Sequence, residues 1–188
     1  MTTVKPPVVG SNGTALCTQC GLCCTGALHD FAVLEPEETA FARRIGMTLR
    51  TEDRPGFALP CPFLANSCCT IYADRPKVCA RYKCALLESL EAGTSTLPAA
   101  LDKVATAKEL LGRAASLMPD GMTVPIARSI NESPPASEGD ADRRSSQLHL
   151  RLAMTSLSLF LDQHFRKSSE GALLLVETIA DAPDPEPK

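Results

Sequence analysis

The chain of 188 residues contains no tryptophan, and aromatic side chains make up only 4% of it. Its core must therefore be built mainly from leucine, alanine and valine. Long apolar runs are missing as well. A membrane-spanning helix needs roughly 18 or more consecutive apolar residues. The densest stretch, LHLRLAMTSLSLFL at 148–161, is interrupted by His149 and Arg151. The opening MTTVKPPVVGSNGTA lacks the basic start, the apolar segment of about 7–15 residues and the cleavage site of a secretory signal. These absences argue against a membrane location and leave a reducing cytoplasm as the expected compartment. Lysine and arginine form no long run, the net charge is −3 and the pI is near 5.6, which argues against nucleic acid as the main partner. Internal repeats, a glycine-rich phosphate loop and a Ser–His–Asp or paired-carboxylate arrangement are also lacking. Whether the chain is an enzyme stays open on these grounds.

What is present is cysteine. There are nine, all between Cys17 and Cys84, and none in the 104 residues that follow. An odd number fits a pure disulfide framework badly, and dense cysteines in a reducing compartment are more often metal ligands or redox groups. With 44% hydrophobic and 22% charged residues the chain is expected to fold rather than stay disordered.

The uneven cysteines divide the chain into two expected parts. Residues 1–92 form a cysteine-rich metal-binding module. Residues 93–188 form a helical extension with a mobile loop at 119–145 and a disordered tail after Ala180. Residues 1–14, rich in Pro, Gly and Thr, are expected to be loosely attached. VLEPEETAFARRIG (33–46) reads as a helix, with Pro36 at its first turn and Gly46 closing it. A second helix is expected from Asp74, as its N-cap, to Gly93. In the extension, 97–118 places Leu97, Leu101, Val104, Leu111 and Leu117 on one stripe. Residues 146–165 are apolar on more than one side, which suits a subunit interface or a protein partner. The predicted fold class is mainly α: a small irregular cysteine module cross-linked by metal, with long helices packed on it.

The cysteines fall into two clusters. The first is CTQCGLCC, with Cys17, Cys20, Cys23 and Cys24. The second holds Cys61, Cys68, Cys69, Cys79 and Cys84. Zinc takes four such thiolates in a tetrahedron. An iron–sulfur cluster also takes cysteines, and Cys17, Cys20 and Cys23 with Cys61-Pro62 imitate one of its spacings. Neighbouring side chains diverge in helix and strand, so adjacent Cys23 and Cys24 suit two different centres, or one ligates while the other packs. Cys79 and Cys84 would point about 140° apart on one helix, so either they serve opposite sides or the helix ends between them. Arg75, Lys77, Arg81 and Lys83 lie inside the second cluster and are candidates to offset thiolate charge. His29, His149 and His164 read as ordinary histidines. Tyr72, Tyr82 and Phe63 read as residues that cover the site.

This pattern resembles the YkgJ-like CxxCxxCC proteins, described as a zinc- or iron-chelating domain. The resemblance is carried by CTQCGLCC at 17–24, CPFL at 61–64, CTIY at 69–72, RPKVC at 75–79 and RYKC at 81–84. It implies eight ligating cysteines: Cys17, Cys20, Cys23, Cys24, Cys61, Cys69, Cys79 and Cys84. Cys68 is additional. The arginine that usually follows the RPxxC cysteine is displaced here, with Ala80 and then Arg81. A related cysteine motif holds an iron–sulfur cluster in flagellin lysine methylases, so the resemblance implies zinc or iron, the latter as a cluster in a redox protein or enzyme. An adaptor that binds a protein partner and uses zinc structurally is the further alternative.

Overall fold

A computed structural model describes residues 12–50, 54–132 and 141–167, without side chains at 141–143. The expectations for residues 1–11, for 133–140 within the long loop and for the tail after Ala180 lie outside the described residues. The described chain is mainly α, as expected. Its helices are α1 (Asn12–Cys20), α2 (Thr39–Arg44), α3 (Lys77–Arg81), α4 (Ala85–Glu91), α5 (Leu97–Ser116), α6 (Val124–Glu132) and α7 (Ala141–His164). Five short strands accompany them: β1 (Phe31–Val33), β2 (Leu49–Arg50), β3 (Gly56–Ala58), β4 (Leu64–Ala65) and β5 (Cys68–Cys69).

Two apolar cores form. The larger one is helical. On α5 the buried residues are Ala100, Val104, Ala107 and Ala114, and on α7 they are Leu150, Met154, Leu157 and Leu161. Both sets recur at intervals of three and four residues, which keeps them on one helical face. The expected α5 stripe therefore needs correction. Of its members only Val104 is buried; Leu97, Leu101 and Leu111 flank the core, and Leu117 is exposed. The seam runs instead through alanines, whose small side chains let neighbouring helices approach. Leu16 and Leu22 from the cysteine segment and Leu86, Leu87 and Leu90 from α4 complete the same core. The helical extension thus shares its interior with the first half of the chain.

The smaller core lies under a three-stranded antiparallel sheet of order β1–β3–β2, with Phe31 opposite Ala58 and Leu49 opposite Phe57. Its buried residues are Leu34, Ala42, Met47, Phe57 and Leu59. A separate hairpin pairs β4 with β5, Leu64 opposite Cys69 and Ala65 opposite Cys68. Its two-residue turn, Asn66–Ser67, has φ of 48° and 66°, the arrangement of the tight turns that match strand twist.

Five local expectations change. Of residues 1–14, expected to be loosely attached, Asn12–Thr14 instead open α1. The helix expected over 33–46 starts late. Pro36 holds Glu35 extended (φ −64°, ψ 145°), so Val33 and Leu34 leave the helix and a short 3-10 turn (Pro36–Glu38) precedes α2. The helix expected over 74–93 is broken at Tyr82–Cys84 into α3 and α4. Asp74 does not cap it but ends a 3-10 turn (Tyr72–Asp74). The α3 start is met from another segment, because the Glu38 carboxylate accepts from the Lys77 backbone N–H at 2.8 Å. Within 119–145, where a loop is expected, α6 forms with Pro125 in its first turn and Ala127 in the core. Arg151 of α7 donates to the carbonyls of Ile130 and Asn131 at its end.

Clamps tie the extension to the cysteine segment. Arg128 and Arg166 both donate to the Ala27 carbonyl at 2.8 Å, and Arg128 also reaches Gly26 and Asp30. The Ala85 N–H, at the start of α4, donates to the Phe165 carbonyl at 2.9 Å. Among the described residues no helix is long and apolar enough to cross a membrane.

Candidate metal centre

Cys17 and Cys20 lie one turn apart on α1, which anchors itself through buried Leu16. The helix stops after Cys20 because Gly21 takes a left-handed conformation (φ 70°) that only glycine adopts freely. Leu22 then turns fully into the core, and the Cys24 N–H closes a turn onto the Gly21 carbonyl at 2.9 Å. That turn presents Cys23 and Cys24 side by side, with their sulfurs 4.0 Å apart. All nine cysteines are free thiols.

The second cluster meets the first through backbone and packing. The Cys61 N–H donates to the Cys24 carbonyl at 2.8 Å. Cys61 packs on the sheet core beside Phe63, Ile71 and Val78, whereas Cys20 and Cys84 pack on the helical core beside Tyr82. Cys79 sits on α3 and Cys84 immediately before α4, so the break between those helices separates them. Lys108 of α5 donates to the Gln19 carbonyl at the end of α1 and to Ser67 Oγ of the hairpin turn, fixing the hairpin against α1. Cys68 is occupied differently from the rest: its Sγ donates to the Thr18 carbonyl at 3.1 Å.

The electrostatics sort the thiols further. Burial pushes Cys17 up to about 11, helped by the charges of Cys84 and Cys23. Burial pushes Cys20 up to about 12, helped by Cys23, Cys84 and Cys17. Cys84 is raised by burial and by Cys23. Cys79 reaches about 12 through burial and the charges of Cys23, Cys61 and Cys69, and Cys61 is raised by burial, Cys69 and Cys23. In the Cys23–Cys24 pair one thiol donates to the other, which lowers Cys23 and raises Cys24; Cys61 and Cys79 raise Cys24 further. Cys17, Cys23 and Cys79 are exposed by surface area, yet the protein around them still desolvates their thiolates.

Of the four cations expected to offset this charge, three are committed elsewhere. Lys77 pairs with Glu37 at 2.6 Å, Lys83 with Glu91 at 2.7 Å and Arg81 with Glu35 at 3.5 Å. Arg75 is the one of the four whose charge acts on the thiols. It lowers Cys17, Cys23 and Cys79, lies over the Tyr72 ring at 3.7 Å, and has a buried Nε with no hydrogen-bond partner among the described residues. Tyr82 and Phe63 pack beside the thiols as expected, but Tyr72 is 39% exposed. His29 stands edge-on to the Tyr82 ring, 4.8 Å between centroids, and His164 lies against Phe160 on α7. Sequence reasoning missed Lys108, Arg128 and Arg166, whose partners in the cysteine segment lie from 41 to 139 positions away along the chain.

No three Cys, His, Asp or Glu side chains among the described residues already stand close enough together to hold a metal ion. The thiols share a neighbourhood without yet being gathered around a point. Residues 16–102 match the CxxCxxCC family model, whose description is "Putative zinc- or iron-chelating domain". This segment is similar to that domain. The match runs from the residue before Cys17 into the second turn of α5, just under half of the chain, and takes in every cysteine. It connects the chain with metal binding in general. No curated protein and no solved structure matches the chain significantly.

Proposed function

We propose that this protein chelates zinc or iron through Cys17, Cys20, Cys23, Cys24, Cys61, Cys69, Cys79 and Cys84. Residues 1–92 act as the metal-binding module and residues 93–188 as its buttress. The observation that supports this is the concentration of free thiols whose charges act on one another, with Arg75 the cation that acts on three of them. Four of them are pushed well above the ordinary thiol range, so several thiolates cannot coexist there without more positive charge. A bound metal supplies that charge and displaces the protons. The donor chemistry fits. An all-thiol set suits zinc or iron–sulfur clusters and disfavours hard, oxygen-seeking cations.

The module's own sheet core holds five buried residues, which is small for a stable unit. Metal cross-links would supplement it. Zinc there would be structural and redox-silent, whereas an iron–sulfur cluster would supply one-electron chemistry. Cys68, already hydrogen-bonded to Thr18, stays outside the ligand set.

The test is Cys20→Ser and Cys61→Ser in the full chain, purified without oxygen. Both are expected to lose metal and to melt at lower temperature. Full metal content with unchanged melting in both variants would remove the ligand assignment. A second reading has its own observation. Leu148, Leu152 and Leu159 of α7 are 56%, 58% and 65% exposed, opposite its buried face. This stripe suits a protein partner or a second copy of the chain. If it binds one, Leu152→Glu abolishes any self-association seen by sedimentation while leaving the metal content unchanged.

A further inference from the structure

The outward face of α7 repeats the spacing of its buried face. Leu150, Met154, Leu157 and Leu161 are buried where α7 packs against α5. On the opposite side Leu148, Leu152, Thr155 and Leu159 are exposed, the three leucines each by more than half. Both sets advance by four, three and four residues, the spacing of a seam between two helices. At 1.5 Å per residue the outward set covers about 16 Å. No exposed residue of α7 between Arg144 and Asp162 is a Lys, Arg, Asp or Glu. Arg151, half-buried, is turned aside to the carbonyls of Ile130 and Asn131. The solvent side of a surface helix is ordinarily charged or polar. Single exposed leucines need no explanation, but a contiguous stripe of them marks a contact surface.

The ends of the stripe indicate what fits it. Arg144 and Asp162 are both exposed. They stand 18 positions apart, about five full turns, so they share one flank of α7 with opposite charges at its two ends. Consider two copies of α7 packed in opposite directions, with a two-fold axis between residues 153 and 154. Leu148 then meets Leu159 of the second copy, Leu152 meets its Thr155, and the same contacts recur with the copies exchanged. That register also brings Arg144 of each copy beside Asp162 of the other. Asp162 accepts from Arg166 of its own chain at 2.7 Å, but its side chain is half exposed and has room for a second cation. Packing in the same direction would instead set Arg144 against Arg144 and Asp162 against Asp162.

We propose that the outward face of α7 is a self-association surface, on which a second copy of the chain packs antiparallel through Leu148, Leu152, Thr155 and Leu159, with Arg144 and Asp162 pairing at the ends. This rests on the reading of the stripe as a contact surface and names its occupant. Three leucines from each copy make a small interface, so the dimer forms reversibly and is not required for folding.

The experiment is sedimentation equilibrium of the full chain over a wide range of concentration. A reversible monomer–dimer equilibrium is expected. Leu152→Glu should abolish the dimer and leave the melting temperature of the dilute, monomeric chain unchanged. Arg144→Glu and Asp162→Arg should each weaken association about tenfold, because each reversal strikes two end pairs of the dimer. The double variant restores opposite charges and should recover most of the loss. A dimer that survives Leu152→Glu, or single reversals with no recovery in the double variant, would overturn the antiparallel pairing. A chain that stays monomeric at every concentration also overturns it, and cell extract then tests the reading beneath it. A larger complex that Leu152→Glu abolishes keeps the stripe as a contact for another protein; the absence of any such complex removes both.

Discussion

Gly21 offers a quantitative test of how the first cysteine run is held. Its φ of 70° costs an L-residue roughly 1–2 kcal/mol, partly offset by the smaller freedom of alanine in the unfolded chain. Space is also short. A Cβ there would lie 3.1 Å from Leu64 Cδ1, 3.1 Å from Ser67 Cα and 3.2 Å from the Ser67 carbonyl oxygen. The leucine methyl can rotate away, but Ser67 is backbone in a tight turn and is held by Lys108. Gly21→Ala should therefore cost about 2–3 kcal/mol, strain plus displacement of the hairpin. Gly46 is the control. Its φ is 88° and nothing lies within 4 Å of its added Cβ, so Gly46→Ala should show the strain alone, about 1 kcal/mol. Urea unfolding of both metal-free variants measures the difference, which corresponds to a gap of about 2–8 °C in melting temperature for a chain of this size. Equal losses in the two variants would refute the close approach of hairpin to α1.

Other perturbations bear on the site and the core. Arg75→Gln should slow alkylation of metal-free thiols near neutral pH by raising Cys23, whereas Arg81→Gln, whose partner is Glu35, should leave the rate unchanged. Folding raises Cys20 and Cys79 to about 12 and Cys17 to about 11 from an ordinary 9.0, so the metal-free fold favours their protonated forms. That stabilisation is complete below about pH 9 and is lost as pH rises through 11–12; urea midpoints should fall over this range, and a rise would contradict the desolvation of these thiols. Leu161→Ala, at a fully buried α7 position, should cost about 2–5 kcal/mol in unfolding while metal content in the cold stays unchanged.

Much of the architecture was legible because its signals are local. The confinement of cysteine to residues 17–84 and the two long helices expected over 97–118 and 146–165 both stand in the structure. So does the break between Cys79 and Cys84, one of two outcomes that their angular separation allows. What was hidden depends on distant partners. Counting leucines on α5 missed an alanine seam, because small residues become a contact surface only when another helix arrives. The three-stranded sheet uses strands of two or three residues, too short for alternation to be seen. Lys77, Arg81, Lys83 and Arg75 look alike in sequence. Only Glu35 and Glu37, some 40 residues away, and Glu91 show that Lys77, Arg81 and Lys83 are paired with carboxylates, while Arg75 lies over Tyr72.

The most direct measurement is metal, iron-bound sulfide and visible absorption on one anaerobic preparation of the full chain. Thiolate ligation by eight cysteines predicts one of two results: zinc at two per chain in a colourless protein, or iron with matching sulfide in a coloured one. In either case only Cys68 should react rapidly with a thiol reagent before the metal is removed. A preparation with neither metal and with all nine thiols reactive would contradict the account.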